Sequence, residues 1–92
     1  MILQAYSVYD KLAKVFARPV YFTNDDVATR AVIDAIKTGE PEFAKHPEDY
    51  VFFRIGEFND SNGYLETPDE GPEKIVTFFE LEQLSRQETI PE

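Results

Sequence analysis

Apolar and polar positions alternate along the chain in blocks whose period changes from two to three-and-a-half and back. Residues Ile2–Tyr9 (ILQAYSVY) are aromatic or β-branched at most positions and contain neither Gly nor Pro. That pattern predicts a strand, with Gln4, Tyr6 and Val8 on one face and Leu3, Ala5, Ser7 and Tyr9 on the other. Both faces carry apolar groups, so the strand is expected to be central. Asp10 to Arg18 is a charged excursion punctuated by Leu12, Val15 and Phe16, read as an irregular loop or a single helical turn. Pro19 then admits a short strand, Val20-Tyr21-Phe22, with the proline at its start, where a missing N–H does no harm.

From Asn24 to Thr38 the period becomes helical. Thr23 is the expected N-cap, and Asp25 and Asp26 set negative charge against the helix dipole. Phe22 and Val27 have the spacing of a hydrophobic staple. Val27, Ala28, Ala31, Val32, Ala35 and Ile36 form the expected apolar stripe, with Gly39 as the stop. Glu40 to Asp49 holds two prolines and reads as a loop anchored by Phe43. Tyr50 to Phe58 (YVFFRIGEF) predicts a second long strand. It is followed by turn residues Asn59–Gly63 and a short returning strand, Tyr64-Leu65-Glu66. Thr67 to Pro72 is a polar linker. Lys74 to Glu80 (KIVTFFE) fits a strand and a helix equally well, and the residues after Leu84 read as frayed.

This order predicts an α+β fold: a small, mostly antiparallel sheet with one helix packed across it. Its boundaries are a single domain over residues 1–80 and a flexible C-terminal tail over residues 81–92. Eight Phe and five Tyr residues in a chain of 92 exceed what one helix can cover. The other sheet face is therefore expected to meet solvent, a partner or a second copy.

Charge sharpens this picture. Nine basic and eighteen acidic residues leave −9, which opposes phosphate backbones and anionic membranes if evenly spread. It is not evenly spread. Six basic and six acidic residues lie up to His46, whereas three basic and twelve acidic residues follow. The absence of cysteine excludes disulfides and thiolate metal sites and suits a reducing compartment. No apolar run approaches spanning length, and the opening Met1-Ile2-Leu3-Gln4 lacks a charged signal-peptide start. A soluble, intracellular protein without membrane association is expected.

Catalytic signals are weak. His46-Pro47-Glu48-Asp49 is the one place where a histidine meets carboxylates, but one histidine and two adjacent acids are too few ligands for a closed metal site. It reads instead as the turn that introduces Tyr50. No serine-nucleophile motif, phosphate-cradling glycine loop or dinucleotide fingerprint is present. The expectation is a non-enzyme with no catalytic residues, metal or cofactor. Binding signals are stronger. Lys11, Lys14, Arg18 and Arg30, with Lys37 and Lys45, are interleaved with Tyr6, Tyr9, Phe16, Tyr21 and Phe22. Single-strand binders combine such cations with aromatic stacking platforms, although aromatics of this kind also build cores. The candidate nucleic-acid contacts are Lys11, Lys14, Arg18, Arg30, Arg54, Tyr9 and Tyr21. Arg54, inside an aromatic strand, is read as a base-stacking residue or as the partner of Glu66 in a cross-strand salt bridge.

Several blocks together carry a family resemblance. They are Tyr6-Ser7-Val8-Tyr9-Asp10-Lys11, Arg18-Pro19, Lys45-His46-Pro47-Glu48-Asp49-Tyr50, Ile55-Gly56-Glu57-Phe58-Asn59-Asp60 and Gly63. In order and spacing, from Met1 to about Glu66, the chain resembles the small nonstructural protein of gokushovirus-type microviruses, the tailless single-stranded DNA phages. The resemblance implies an early, non-virion protein of the infected bacterial cytoplasm, described as DNA-binding or as serving single-stranded genome replication or packaging. It brings no established functional residues. Three readings follow: binding of single-stranded DNA as a homo-oligomer, an acidic module that mimics DNA toward a phage or host DNA-binding protein, and self-assembly through the uncovered sheet face.

Overall fold

Two long strands organise the molecule, and the computed structural model describes residues 1–88. Strand β1 (Ile2–Asp10) and strand β4 (Tyr50–Asn59) run antiparallel along their whole length, from Ile2 opposite Asn59 to Asp10 opposite Tyr50. Short strands share their outer edges. β2 (Val15–Phe16) pairs with Tyr9 and Asp10, and β3 (Val20–Phe22) pairs with Gln4 to Tyr6. On the far edge of β4, β5 (Leu65–Glu66) pairs with Glu57 and Phe58, and β6 (Glu73–Thr77) pairs with Val51 to Arg54. Each cross-section is four strands wide, with β1 central as predicted. Edges made of two to five residues offer little ladder to another chain.

Helix α1 (Asp25–Thr38) starts at Asn24, whose side chain accepts the Val27 N–H at 2.9 Å. The cap is therefore Asn24 and not Thr23, one residue later than the sequence predicts. The buried face also differs from the expected stripe: Val27 is 46% exposed, while Ile33, absent from that stripe, is buried with Ala28, Val32 and Ile36. The Glu40–Asp49 stretch forms a short helix, α2 (Pro41–Lys45), and a 3₁₀ turn over Pro47–Asp49. Phe43 is the anchor, its ring 5.0 Å from Tyr50 and 4.9 Å from Phe78.

The ambiguous Lys74–Glu80 segment is both strand and helix. It breaks after Thr77, where α3 (Phe78–Glu88) begins. Phe78 and Leu81 are completely buried against α1 and the sheet. Helix α3 runs through the expected boundary at 80 to Glu88, and its Leu81 belongs to the core. The remainder of the expected tail, 89–92, lies outside the described residues. The fold is α+β with a six-stranded antiparallel sheet, and a second helix, α3, shares the covered face with α1.

The core lies between the helices and one sheet face. Tyr6 and Phe52 stack at 5.2 Å, with Val8, Phe22, Tyr50, Ile75 and Val76 packed around them. Each large side chain removed from water there contributes about 1.5–3 kcal/mol. Among the described residues no helix is long and apolar enough to cross a membrane.

Candidate functional site

Strand alternation decides which aromatics the helices cover. On β1 the even positions Tyr6 and Val8 face the helices, so Leu3, Ala5, Ser7 and Tyr9 face the other way. The registers carry that second face across the sheet. Tyr9 is opposite Phe16 and Val51, Ser7 is opposite Phe53, Ala5 is opposite Tyr21, and Leu3 is opposite Phe58. Phe58 in turn faces Leu65, and Phe53 faces Lys74. Among the described residues no helix lies over this surface.

The central strand supplies small residues here, and its neighbours supply large ones. Ala5 and Ser7 are buried although the described residues put no second layer on this side, because rings from the flanking strands arch over them. The Tyr9 and Phe16 rings are 4.7 Å apart, and Phe16 meets Phe53 edge-on at 5.4 Å. At the other end Tyr21 and Phe58 lie 5.5 Å apart. The Ser7 hydroxyl donates to the Ala17 carbonyl at 2.7 Å, so its burial leaves no polar atom unsatisfied. Phe16 is 45% and Tyr21 42% exposed, while Tyr9, Phe53 and Phe58 are half-buried. The face is thus aromatic and wet. It carries no carboxylate: the open-face positions of the six strands are apolar residues, Ser7, Thr77 and Lys74.

Basic residues gather at one end of this platform. The Asp10–Arg18 segment, read as a loop or helical turn, is a β-hairpin closed by Asp10 opposite Val15. It carries Lys11 and Lys14 in its turn and Arg18 just beyond β2, all exposed. Five sequence candidates therefore belong to this face: Lys11, Lys14, Arg18 and Tyr9 at this end and Tyr21 at the other. Two do not. Arg30 is exposed on α1, in the helical layer on the opposite side of the sheet.

Arg54 also belongs to the covered side. It pairs across strands with Glu73 rather than with Glu66, and its Nη1 donates to both oxygens of Asp25, at 3.0 and 2.8 Å. The hydrogen bond to Glu73 is the largest influence raising its pKa, and Asp25 adds to it against an opposing desolvation effect. Both amino groups of the guanidinium are thus engaged by carboxylates, on the side of the sheet away from the open aromatic face. Phe53, Phe58 and Lys74, not among the sequence candidates, join this face. Alternation along YVFFRIGEF separates Phe53 from Phe52, but the partnership of Phe53 with Lys74 depends on a register set 21 residues away.

A second concave feature lies on the Arg54 side, an open groove of about 920 Å³. Asp25, Asp26, Glu57, Glu66, Asp69 and Glu73 line it together with Arg54. Glu57 and Glu66 stand directly opposite each other in the ladder, an arrangement that costs stability. His46, Glu48 and Asp49 each place one ligand atom within 4.8 Å of the others on the 3₁₀ turn. His46 and Glu48 are exposed, and three ligands are one fewer than a closed tetrahedral site takes.

A family model described as Phage ORF5 protein matches residues 3–81, well past the Glu66 limit of the sequence resemblance. No curated protein and no solved structure matches the chain.

Proposed function

Because the chain belongs to the Phage ORF5 protein family, we propose that it is a nonstructural protein of a gokushovirus-type phage, a non-enzymatic binder of single-stranded DNA in genome replication or packaging. Its place of action is the cytoplasm of the infected host. The observation that carries this reading is the open sheet face, aromatic and free of carboxylates, in a chain whose net charge is −9. Six of the eighteen acids that would repel a phosphate backbone line the groove on the other side of the sheet. Bases stack on exposed aromatic rings in a sequence-tolerant way, and nearby cations hold the backbone. Tyr9, Phe16, Phe53, Tyr21 and Phe58 supply the rings, and Lys11, Lys14, Arg18 and Lys74 supply the charge. One platform spans only a few nucleotides, so the working form is a homo-oligomer that gains avidity along the strand.

Fluorescence anisotropy with a labelled oligothymidylate of about twenty nucleotides tests this reading, since non-specific DNA binding typically lies between about 10⁻⁴ and 10⁻⁶ M at physiological salt. Binding is expected at low salt, weakening as salt rises. Phe53→Ala is expected to reduce it by about 1–3 kcal/mol, the worth of one stacked base. No binding, or binding indifferent to salt, overturns the reading. Light scattering that returns the monomer mass at every concentration removes the oligomer.

The acidic groove favours a second reading, in which this surface mimics spaced phosphates and occupies a basic phage or host DNA-binding protein. A pull-down from infected cells that recovers DNA but no basic protein excludes it.

A further inference from the structure

The β1–β2 turn holds an expensive conformation that its sequence makes no effort to relieve. Lys14 has φ 61°, and it is the one non-glycine residue with positive φ among the described residues. At the other two left-handed positions the chain uses glycine, Gly63 at φ 81° and Gly71 at φ 89°. A side chain bearing a Cβ is disfavoured in this region, where Gly or Asn is the economical choice. The turn is nevertheless tightly made. The Asp10 carboxylate accepts the N–H groups of Leu12 and Ala13 at 3.0 and 3.1 Å, and its carbonyl accepts that of Lys14 at 2.7 Å. The Lys11 N–H donates to the Asp49 carbonyl at 2.8 Å and ties the turn to the 3₁₀ segment.

We infer that this turn is the phosphate clamp of the DNA-binding face, with Lys14 as its principal contact, an inference that rests on the single-stranded DNA reading above. Position supports it first. Asp10 opposite Val15 closes the hairpin, and the next pair inward is Tyr9 opposite Phe16, so the turn projects from the end of the aromatic platform. Charge supports it second. Lys11, Lys14 and Arg18 take part in no ion pair among the described residues, and the one acid of the segment, Asp10, is engaged within the turn. Strain supports it third: a left-handed lysine persists where the surrounding bonds over-determine it, as strained residues do at functional positions. The ligand is the sugar–phosphate backbone of an unpaired strand whose bases lie on Tyr9, Phe16 and Phe53.

The test compares wild type, Lys14→Gly, Lys14→Asn and, as a control of equal charge change on α2, Lys45→Gln. Each is titrated against the labelled oligothymidylate at several salt concentrations, and each is melted. Lys14→Gly and Lys14→Asn are expected to bind several-fold more weakly. Their slope of log affinity against log salt should be shallower by about 0.7, the release expected for one lost phosphate contact on a single strand. Their melting temperatures should equal or exceed that of wild type, because both residues accept positive φ. Lys45→Gln should bind like wild type. If wild type binds and Phe53→Ala weakens it while the Lys14 variants do not differ from wild type, the clamp is overturned and the platform stands. If the Lys45 variant weakens binding as much as they do, charge alone is at work and the clamp is likewise overturned. If wild type does not bind the oligonucleotide, both readings fall.

Discussion

Tyr6 shows how a single residue joins three elements. Its ring is fully buried against Phe52, and its hydroxyl donates to Asp25 Oδ1 at 2.6 Å at the start of α1. Asp25 also receives Arg54 from β4, and Arg54 reaches Glu73 on β6. Tyr6→Phe is expected to cost about 1 kcal/mol in urea denaturation, the usual net worth of a hydrogen bond. Asp25→Ala should cost more, about 1–3 kcal/mol, because it leaves the buried hydroxyl unpaired; its ion pair with Arg54 is partly exposed and adds little. Burial first, and the hydrogen bond to Asp25 second, push the Tyr6 pKa upward from its ordinary value of 10. A raised folded-state pKa means that its contribution is complete below pH 10 and lost at higher pH, as the unfolded chain ionises more readily. Stability should therefore fall above about pH 10, less steeply in Tyr6→Phe. Tyr50, raised mainly by burial, acts in the same direction. None of this network could be read from the sequence, because its members are 19 to 29 positions apart and no local period links them.

At the scale of elements, α3 is the one whose local signal went unused. Thr77-Phe78-Phe79-Glu80 is a capping box. The Glu80 N–H donates to Thr77 Oγ1 at 3.1 Å, and the Thr77 N–H donates to Glu80 Oε1 at 3.1 Å. These bonds, the backbone one foremost, hold the Glu80 carboxyl below its ordinary pKa. Hydrophobic periodicity alone left strand and helix tied, whereas the box marks where one becomes the other. Thr77→Ala is expected to lower stability by about 1 kcal/mol, the common worth of an N-cap. Leu81→Ala should lower it by about 2–5 kcal/mol through the cavity left in the core, as read by chemical denaturation. The α1 cap shows the complementary error. Thr23 and Asn24 are both good caps, and Asn24 is used; packing, not the cap, buries Ile33 in place of Val27.

For the whole molecule the deciding quantity is where charge lies, not how much there is. Six of the eighteen acids line the groove, and among the described residues the open-face strand positions have none, so the two sides of the sheet differ in character. This arrangement predicts salt effects of opposite sign. Raising salt should increase the melting temperature, because it screens the repulsion of a chain at −9 and of Glu57 facing Glu66. The same change should weaken binding to single-stranded DNA. A melting temperature that falls with salt would show that favourable ion pairs such as Arg54 with Asp25 outweigh the repulsion.

By itself the sequence determined the two long strands, helix α1, the Asn59–Gly63 turn, the anchoring role of Phe43 and the surplus of aromatics over what one helix covers. These follow from periods and turn chemistry that act over a few residues. Tertiary structure alone decided which aromatics stay uncovered, which cations stand beside them and that Arg54 is spent inside an ion-pair network. Those outcomes depend on strand register and on the bulge between Ala5 and Tyr6. A register is a global solution to burying one face of the sheet, and a one-residue slip would exchange the covered face for the open one. The −9 that seems to bar a phosphate partner is a property of the chain; the surface such a partner would meet is a property of the fold.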